Sequence, residues 1–169
     1  MSATLYLRAG SPAPSIAAQD YATRKTNSLD ERLSSSGASI FIYWIKSECP
    51  TCRLALPFIA RIARVAPQRV FVVMQDDRTA IASVVQAYGL LPDVIASEEA
   101  PYTSADAYGI TNVPTWFEVA RDDGGKPVVK DSGMAFVQKD LEGHFAAVGG
   151  GASLFSEEER ARLPVLQPG

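Results

Sequence analysis

The apolar positions of the chain fall into unbroken runs and helical stripes that alternate along its length. Residues 39–46, Ser-Ile-Phe-Ile-Tyr-Trp-Ile-Lys, form a β-branched and aromatic run with no breaker. That pattern predicts a strand buried on both faces, hence central in a sheet. From Cys52 to Ala66 the residues Ala55, Ile59, Ile62, Ala63 and Ala66 recur at helical spacing. Pro50 suits the first helical position, where its missing N–H goes unmissed, and Pro57 falls inside the helix, which predicts a kink. Residues 69–74 read as a second buried strand. A helix is expected from Asp76-Asp77-Arg78 to about Tyr88, ended by Gly89. Residues 90–102 read as irregular, and residues 104–108 as a short helical turn closed by Gly109. Strands are expected over 115–120 and 127–134, joined at Asp122-Asp123-Gly124-Gly125 by a hairpin turn. Val137, Leu141, Phe145 and Val148 make a last helical stripe, stopped by Gly149-Gly150-Gly151. Ser156-Glu157-Glu158-Glu159 caps a short final helix before Pro164. Upstream, residues 1–37 are weakly patterned. Gly10-Ser11-Pro12-Ala13-Pro14 reads as a turn or extended lead-in, and Ser28-Leu29-Asp30-Glu31 as a capping box opening a short helix through about Leu33.

This order implies a parallel strand pair joined by a right-handed crossover, followed by an antiparallel edge. The expected architecture is α/β, a central mixed sheet of about four core strands flanked by helices. The 169 residues point to one domain, with its core at about 38–148, an N-terminal extension at 1–37 and a tail at 149–169.

Composition narrows the function. The hydrophobic fraction of 47% fills a core at this length, and the net charge of -3 offers no basic excess for phosphates, which argues against nucleic acid as a partner. No apolar run approaches the roughly 20 residues that span a bilayer. The first eight residues carry no basic segment followed by an apolar core, so the cytoplasm is the expected compartment, or the periplasm if a leader has been removed. The chain has only two cysteines, Cys49 and Cys52, three positions apart. A secreted disulfide scaffold uses more of them at longer spacings, and a structural zinc site needs four ligands. The single histidine, His144, reads as a surface or half-buried residue, and no metal is expected. The cysteines therefore lean toward redox chemistry, and the only redox group expected is their own disulfide.

A thiol attacks as its thiolate. Cys49 at a helix start meets unpaired N–H groups and the positive end of the helix dipole, and both favour the charged sulfur. Cys52, one turn further in, is expected to be more buried and to carry the higher pKa. Cys49 would attack a partner disulfide and Cys52 would resolve the mixed disulfide. The spacing immediately after a hydrophobic strand and at the opening of a helix is the feature that distinguishes a redox motif from two inert thiols.

The segment Tyr43-Trp44-Ile45-Lys46-Ser47-Glu48-Cys49-Pro50-Thr51-Cys52 resembles the active-site strand and loop of the thioredoxin family, and Pro57 matches that family's helix proline. Gly109-Ile110-Thr111-Asn112-Val113-Pro114-Thr115 resembles the family's substrate-facing proline element, and Gly10 to Ile16 is similar to the opening of the TlpA-like redoxin branch. The resemblance spans roughly residues 10–148 and implies a thioredoxin fold and a thiol-disulfide oxidoreductase of the disulfide-reductase type. It also implies a cis peptide at Pro114, with Val113, Pro114, Pro50 and Thr51 contacting the substrate. Partners would be protein or small-molecule disulfides and a thiol reductase or reductant that recycles the dithiol. The chain departs from thioredoxin in two places. The dipeptide between the cysteines is Pro-Thr, preceded by Glu48, and the family's buried aspartate is replaced by Tyr43. Glu48, Lys46 and Tyr43 are therefore the candidates for tuning the thiols. Two alternatives compete, a peroxiredoxin-like thiol peroxidase and a non-enzymatic redox-sensing module whose tail docks a partner. The peroxidase pattern needs Thr or Ser at position 49 and Pro at 45, where this chain has Cys49 and Ile45. A copper carrier lacks a nearby histidine and ranks last.

Overall fold

The computed structural model describes residues 6–27, 29–134, 138–151 and 153–162. In chain order the elements are β1 (Ala18–Asp20), β2 (Thr26–Asn27), α1 (Leu29–Ser36), β3 (Ile40–Ile45), α2 (Pro50–Val65) and β4 (Val70–Met74). They continue with α3 (Arg78–Tyr88), β5 (Ile95–Ser97), α4 (Thr103–Tyr108), β6 (Thr115–Arg121), β7 (Pro127–Met134), α5 (Gln138–Ala147) and α6 (Glu157–Arg162). The strands form one mixed sheet of seven, in the order β2-β1-β5-β4-β3-β6-β7. The pairs β3–β4 and β4–β5 are parallel, and the other neighbours are antiparallel.

The long apolar run is the sheet's central strand because both of its faces are covered. Ile40, Ile42 and Trp44 of β3 join Phe71, Val73, Phe117 and Val119 on one face, against Leu29 and Leu33 of α1 and Ala105 and Tyr108 of α4. Phe41, Tyr43 and Ile45 join Val72, Met74 and Trp116 on the other, against Leu56, Ile59 and Ile62 of α2 and Ile81 of α3. A period of two along each strand, with a helix layer on each side, makes a three-layer sandwich. The stripe of α2 faces inward throughout, and the helix continues past Pro57.

The sheet has seven strands where about four core strands were expected. The interval 90–102, read as irregular, contains β5. Three residues are too few to show alternation, and β5 is defined by its parallel ladder to β4 and its antiparallel ladder to β1. The weakly patterned N-terminal extension supplies β1 and β2 and puts Ile16 and Ala18 into the core. It also lies along β7, where Gly10 N–H donates to Val129 O and Val129 N–H to Ser11 O. Helix α1 runs to Ser36, beyond the expected end at Leu33. Ser28 of the expected capping box, Val137 of the last stripe and Pro164 lie outside the described residues.

Residues 154–159 of the tail pack on α2. Phe155 is 3% exposed, its ring 4.3 Å from that of Phe58 on α2. Arg61 of α2 donates to both carboxylate oxygens of Glu159 at 3.0 Å and to Leu154 O. Residues 154–159 thus cover part of α2.

Candidate redox site

Strand β3 ends at Ile45, a four-residue connection follows, and α2 starts at Pro50. The turn is set by its own hydrogen bonds: Cys49 N–H donates to Lys46 O at 3.3 Å, and Arg53 N–H donates to Cys49 O at 3.1 Å. Cys49 is the N-cap of α2 in an extended conformation, and its Sγ accepts from Cys52 N–H at 3.2 Å. A sulfur here fills the place of the side-chain oxygen that normally satisfies an orphan amide at a helix start. Cys49 is partly exposed, whereas Cys52 is buried with 0% exposure, and both are free thiols. Burial is the main cause that pushes the Cys52 thiol well above its ordinary range. The Lys46 backbone opposes it, and Cys49 and the Asp76 carboxylate add to it.

From the other side of the motif comes the loop before β6. The Val113–Pro114 peptide is cis, and Val113 O lies 3.7 Å from Cys49 Sγ. Thr115 Oγ1 donates to Asn112 O at 2.6 Å and pins this loop from within. Pro114 is buried and Val113 half-buried, while Pro50 is exposed and Thr51 half-buried. The expected substrate-contacting residues therefore meet around Cys49.

The three candidate tuning residues do not. Lys46 and Glu48 have exposed side chains, so only the Lys46 backbone takes part. The Tyr43 hydroxyl is engaged elsewhere, 2.7 Å from His144 Nδ1. His144 itself corrects the expectation of a surface or half-buried residue: it is 5% exposed, stacked on Phe41 at 4.2 Å and edge-on to Trp116 at 4.3 Å. The stripe of α5 misassigns it because the helix's inward face is completed by an imidazole beside Leu141. Burial lowers the His144 pKa to about 3, and its Nε2 has no hydrogen-bond partner among the described residues. Burial also raises the Tyr43 hydroxyl well above its usual value. Trp44 sits in the core, and Trp116, also buried, donates from Nε1 to Asp140 Oδ2 at 3.2 Å.

Asp77 behaves as the helix start it was read as, accepting from Ala80 N–H at 2.8 Å. Asp76 does something the sequence did not signal. Its carboxylate accepts from Ser47 N–H at 3.0 Å and from the Ser47 hydroxyl, which ties β4's end to the motif loop. Nothing local in Gln75-Asp76-Asp77 separates a cap from a tie across to another strand. Among the described residues, no group of three or more His, Cys, Asp and Glu side chains could hold a metal ion, and no helix is long and apolar enough to cross a membrane.

The sheet and helices that carry this site superpose on those of solved structures. A Chlorobium tepidum protein provisionally designated thiol:disulfide interchange protein DsbE superposes with a TM-score of 0.62 at 19% identity, covering 84% of this chain and 98% of its own. The chain has a thioredoxin fold. The thioredoxin domain of a thiol-disulfide oxidoreductase from Bacteroides vulgatus gives 0.60 at 16% identity, covering 83% of this chain and 97% of that one. A secreted Mycobacterium tuberculosis disulfide oxidoreductase homologous to E. coli DsbE gives 0.52 at 21%, covering 77% and 94%. At these identities the likeness is one of thioredoxin fold. No family model matches the sequence, and no curated relative does.

Proposed function

We propose that this protein is a thiol-disulfide oxidoreductase that reduces disulfides with the Cys49/Cys52 dithiol. The observation that carries the reading is the asymmetry of the two sulfurs. Cys49 is reachable and accepts an N–H bond at the positive end of α2, while Cys52 is sealed beneath it. A nucleophile needs access and a charge-accepting environment, and a resolving thiol needs proximity and protection.

In the first step the Cys49 thiolate attacks one sulfur of the partner disulfide. A Cys49–partner bond forms, the partner's S–S bond breaks, and its second sulfur leaves as a thiolate that takes a proton from water. In the second step Cys52 gives up its proton to solvent and attacks Cys49 Sγ. The Cys49–Cys52 disulfide forms, and the partner's first sulfur leaves and is protonated. Two electrons have passed from the dithiol to the partner. An external thiol reductant or reductase then restores the dithiol, and no other cofactor enters. The Val113 carbonyl beside Cys49 offers an acceptor along which an extended partner segment can lie.

Turbidimetric reduction of insulin disulfides with dithiothreitol tests the proposal. Wild-type protein accelerates precipitation, Cys49→Ser abolishes the acceleration, and Cys52→Ser accumulates mixed disulfides that resolve on non-reducing gels. Negligible turnover by the wild type, or equal residual activity in both variants, overturns it.

A further inference from the structure

The mechanism above leaves one charged group unused. Asp76 ends the β4 connection and is half-buried. It sits in a fixed cluster: its carboxylate takes both donors of Ser47, its backbone carbonyl accepts from Ser97 Oγ at 2.8 Å, and Arg53 Nε donates to Ser47 O at 2.9 Å. Ser47 lies between Lys46 and Cys49, the two residues whose backbones form the motif turn. The cluster thus joins the ends of β4 and β5, the motif loop and α2 at the base of the redox pair.

We propose that Asp76 is the positioning residue of this redox site: its carboxylate fixes the Ser47 loop and sets a negative charge against the resolving thiol. The inference rests on the dithiol reading and deepens it.

The charges around Cys52 can be sorted by where they point. Lys46 and Glu48 extend into solvent, Asp77 is spent on Ala80 N–H, and the Arg53 guanidinium is held on Ser47 O. The core beneath contributes the Tyr43–His144 pair, an uncharged imidazole against a hydroxyl. Burial is the main cause that keeps the Cys52 sulfur a thiol, and the fixed Asp76 carboxylate adds to it in the same direction. The consequence is ordered chemistry. A resolving thiol held protonated does not compete with Cys49 for the partner, and it attacks only when the mixed disulfide holds an electrophilic sulfur beside it.

The test is single-turnover. Reduced protein is mixed with a chromogenic aromatic disulfide, and release of the second equivalent of aromatic thiol reports the attack by Cys52. Loss of a neighbouring like charge lowers a thiol pKa by about one unit. At neutral pH that gives about tenfold more thiolate, part of which is offset by its weaker nucleophilicity, so Asp76→Asn should speed release about threefold. Ser47→Ala, which keeps the carboxylate and the backbone N–H bond but removes the hydroxyl bond of the tie, should slow it. A damaged loop slows release, so a gain in rate is not an effect of structural damage. If Asp76→Asn does not fold, the Asp76→Glu and Asp76→Gln pair differs only in charge, and the Gln form should be the faster by the same factor. A rate for Asp76→Asn, or for Gln against Glu, that is equal or lower overturns the inference. Absence of any second release in the wild type overturns the dithiol reading instead.

Discussion

The buried imidazole of His144 makes the protein's stability depend on pH in a defined window. In the unfolded chain a histidine titrates near 6.5, whereas burial holds His144 down at about 3 in the folded state. Between these values the unfolded chain binds a proton that the folded chain refuses. The unfolded state therefore gains as pH falls, and stability is lost from about pH 6.5 downward until the folded-state value is reached. For a shift of this size, linkage gives a loss of about 2 kcal/mol between pH 7 and pH 5. With a urea dependence of about 2 kcal/mol per M for a domain of this size, the unfolding midpoint should fall by about 1 M over that interval. Other groups also titrate there, so the measurement is a difference. The double variant Tyr43→Phe/His144→Phe keeps two rings in place and removes both polar atoms of the 2.7 Å contact. Urea unfolding followed by far-ultraviolet circular dichroism at pH 7 and pH 5 should give the double variant a loss smaller than the wild type's by about 2 kcal/mol. Parallel pH dependence in the two proteins would refute the reasoning, because it would mean that His144 is protonated in the folded state or exposed to water.

Three further predictions concern packing and ion pairing. Phe155→Ala should cost about 3 kcal/mol in urea unfolding, since the ring is buried against Phe58. Arg61→Gln should cost less than about 1 kcal/mol because its pair with Glu159 is partly solvated. Gly133→Ala places a methyl 2.8 Å from Trp116 Nε1 and 3.1 Å from Asp140 Oδ2, so it should cost about 2 kcal/mol and shift the tryptophan emission. An unchanged midpoint and spectrum for Gly133→Ala would show that β7 can move off β6 without cost.

What was legible in the sequence followed from length and repetition. Strand β3 announces itself by six apolar residues in a row, all buried. Helix α2 announces itself by a stripe over sixteen residues. The Cys49/Cys52 spacing between them carried the site. Three classes of feature were not legible. Strands β1, β2 and β5 have two or three residues each, below the length at which a period of two can be distinguished from chance. Their existence depends on ladders to partners distant in sequence. His144 is buried because Phe41, Tyr43 and Trp116 converge on it from two strands, and no property of α5 alone encodes that. The Asp76–Ser47 tie joins residues 29 apart in the chain, and the sequence shows only two aspartates before a helix.

These unforeseen contacts explain one another. Tyr43 lies beneath the motif, fully buried against His144. A charge at that depth would need a partner to offset its desolvation. A hydroxyl and a neutral imidazole carry no charge to offset, and the sheet's inner face then stays uncharged at neutral pH. Such a core acts on the sulfurs by burial and holds no charge that could act on them as well. A charge that does so has to stand at the rim, where water and backbone donors share its solvation. Asp76 occupies that position, half-buried with two Ser47 donors on its oxygens. Removing the Tyr43–His144 pair should therefore change stability and leave the second release rate near wild type, whereas Asp76→Asn should change the rate. Were the double variant to alter release as much as Asp76→Asn does, the separation of a neutral core from a charged rim would fail.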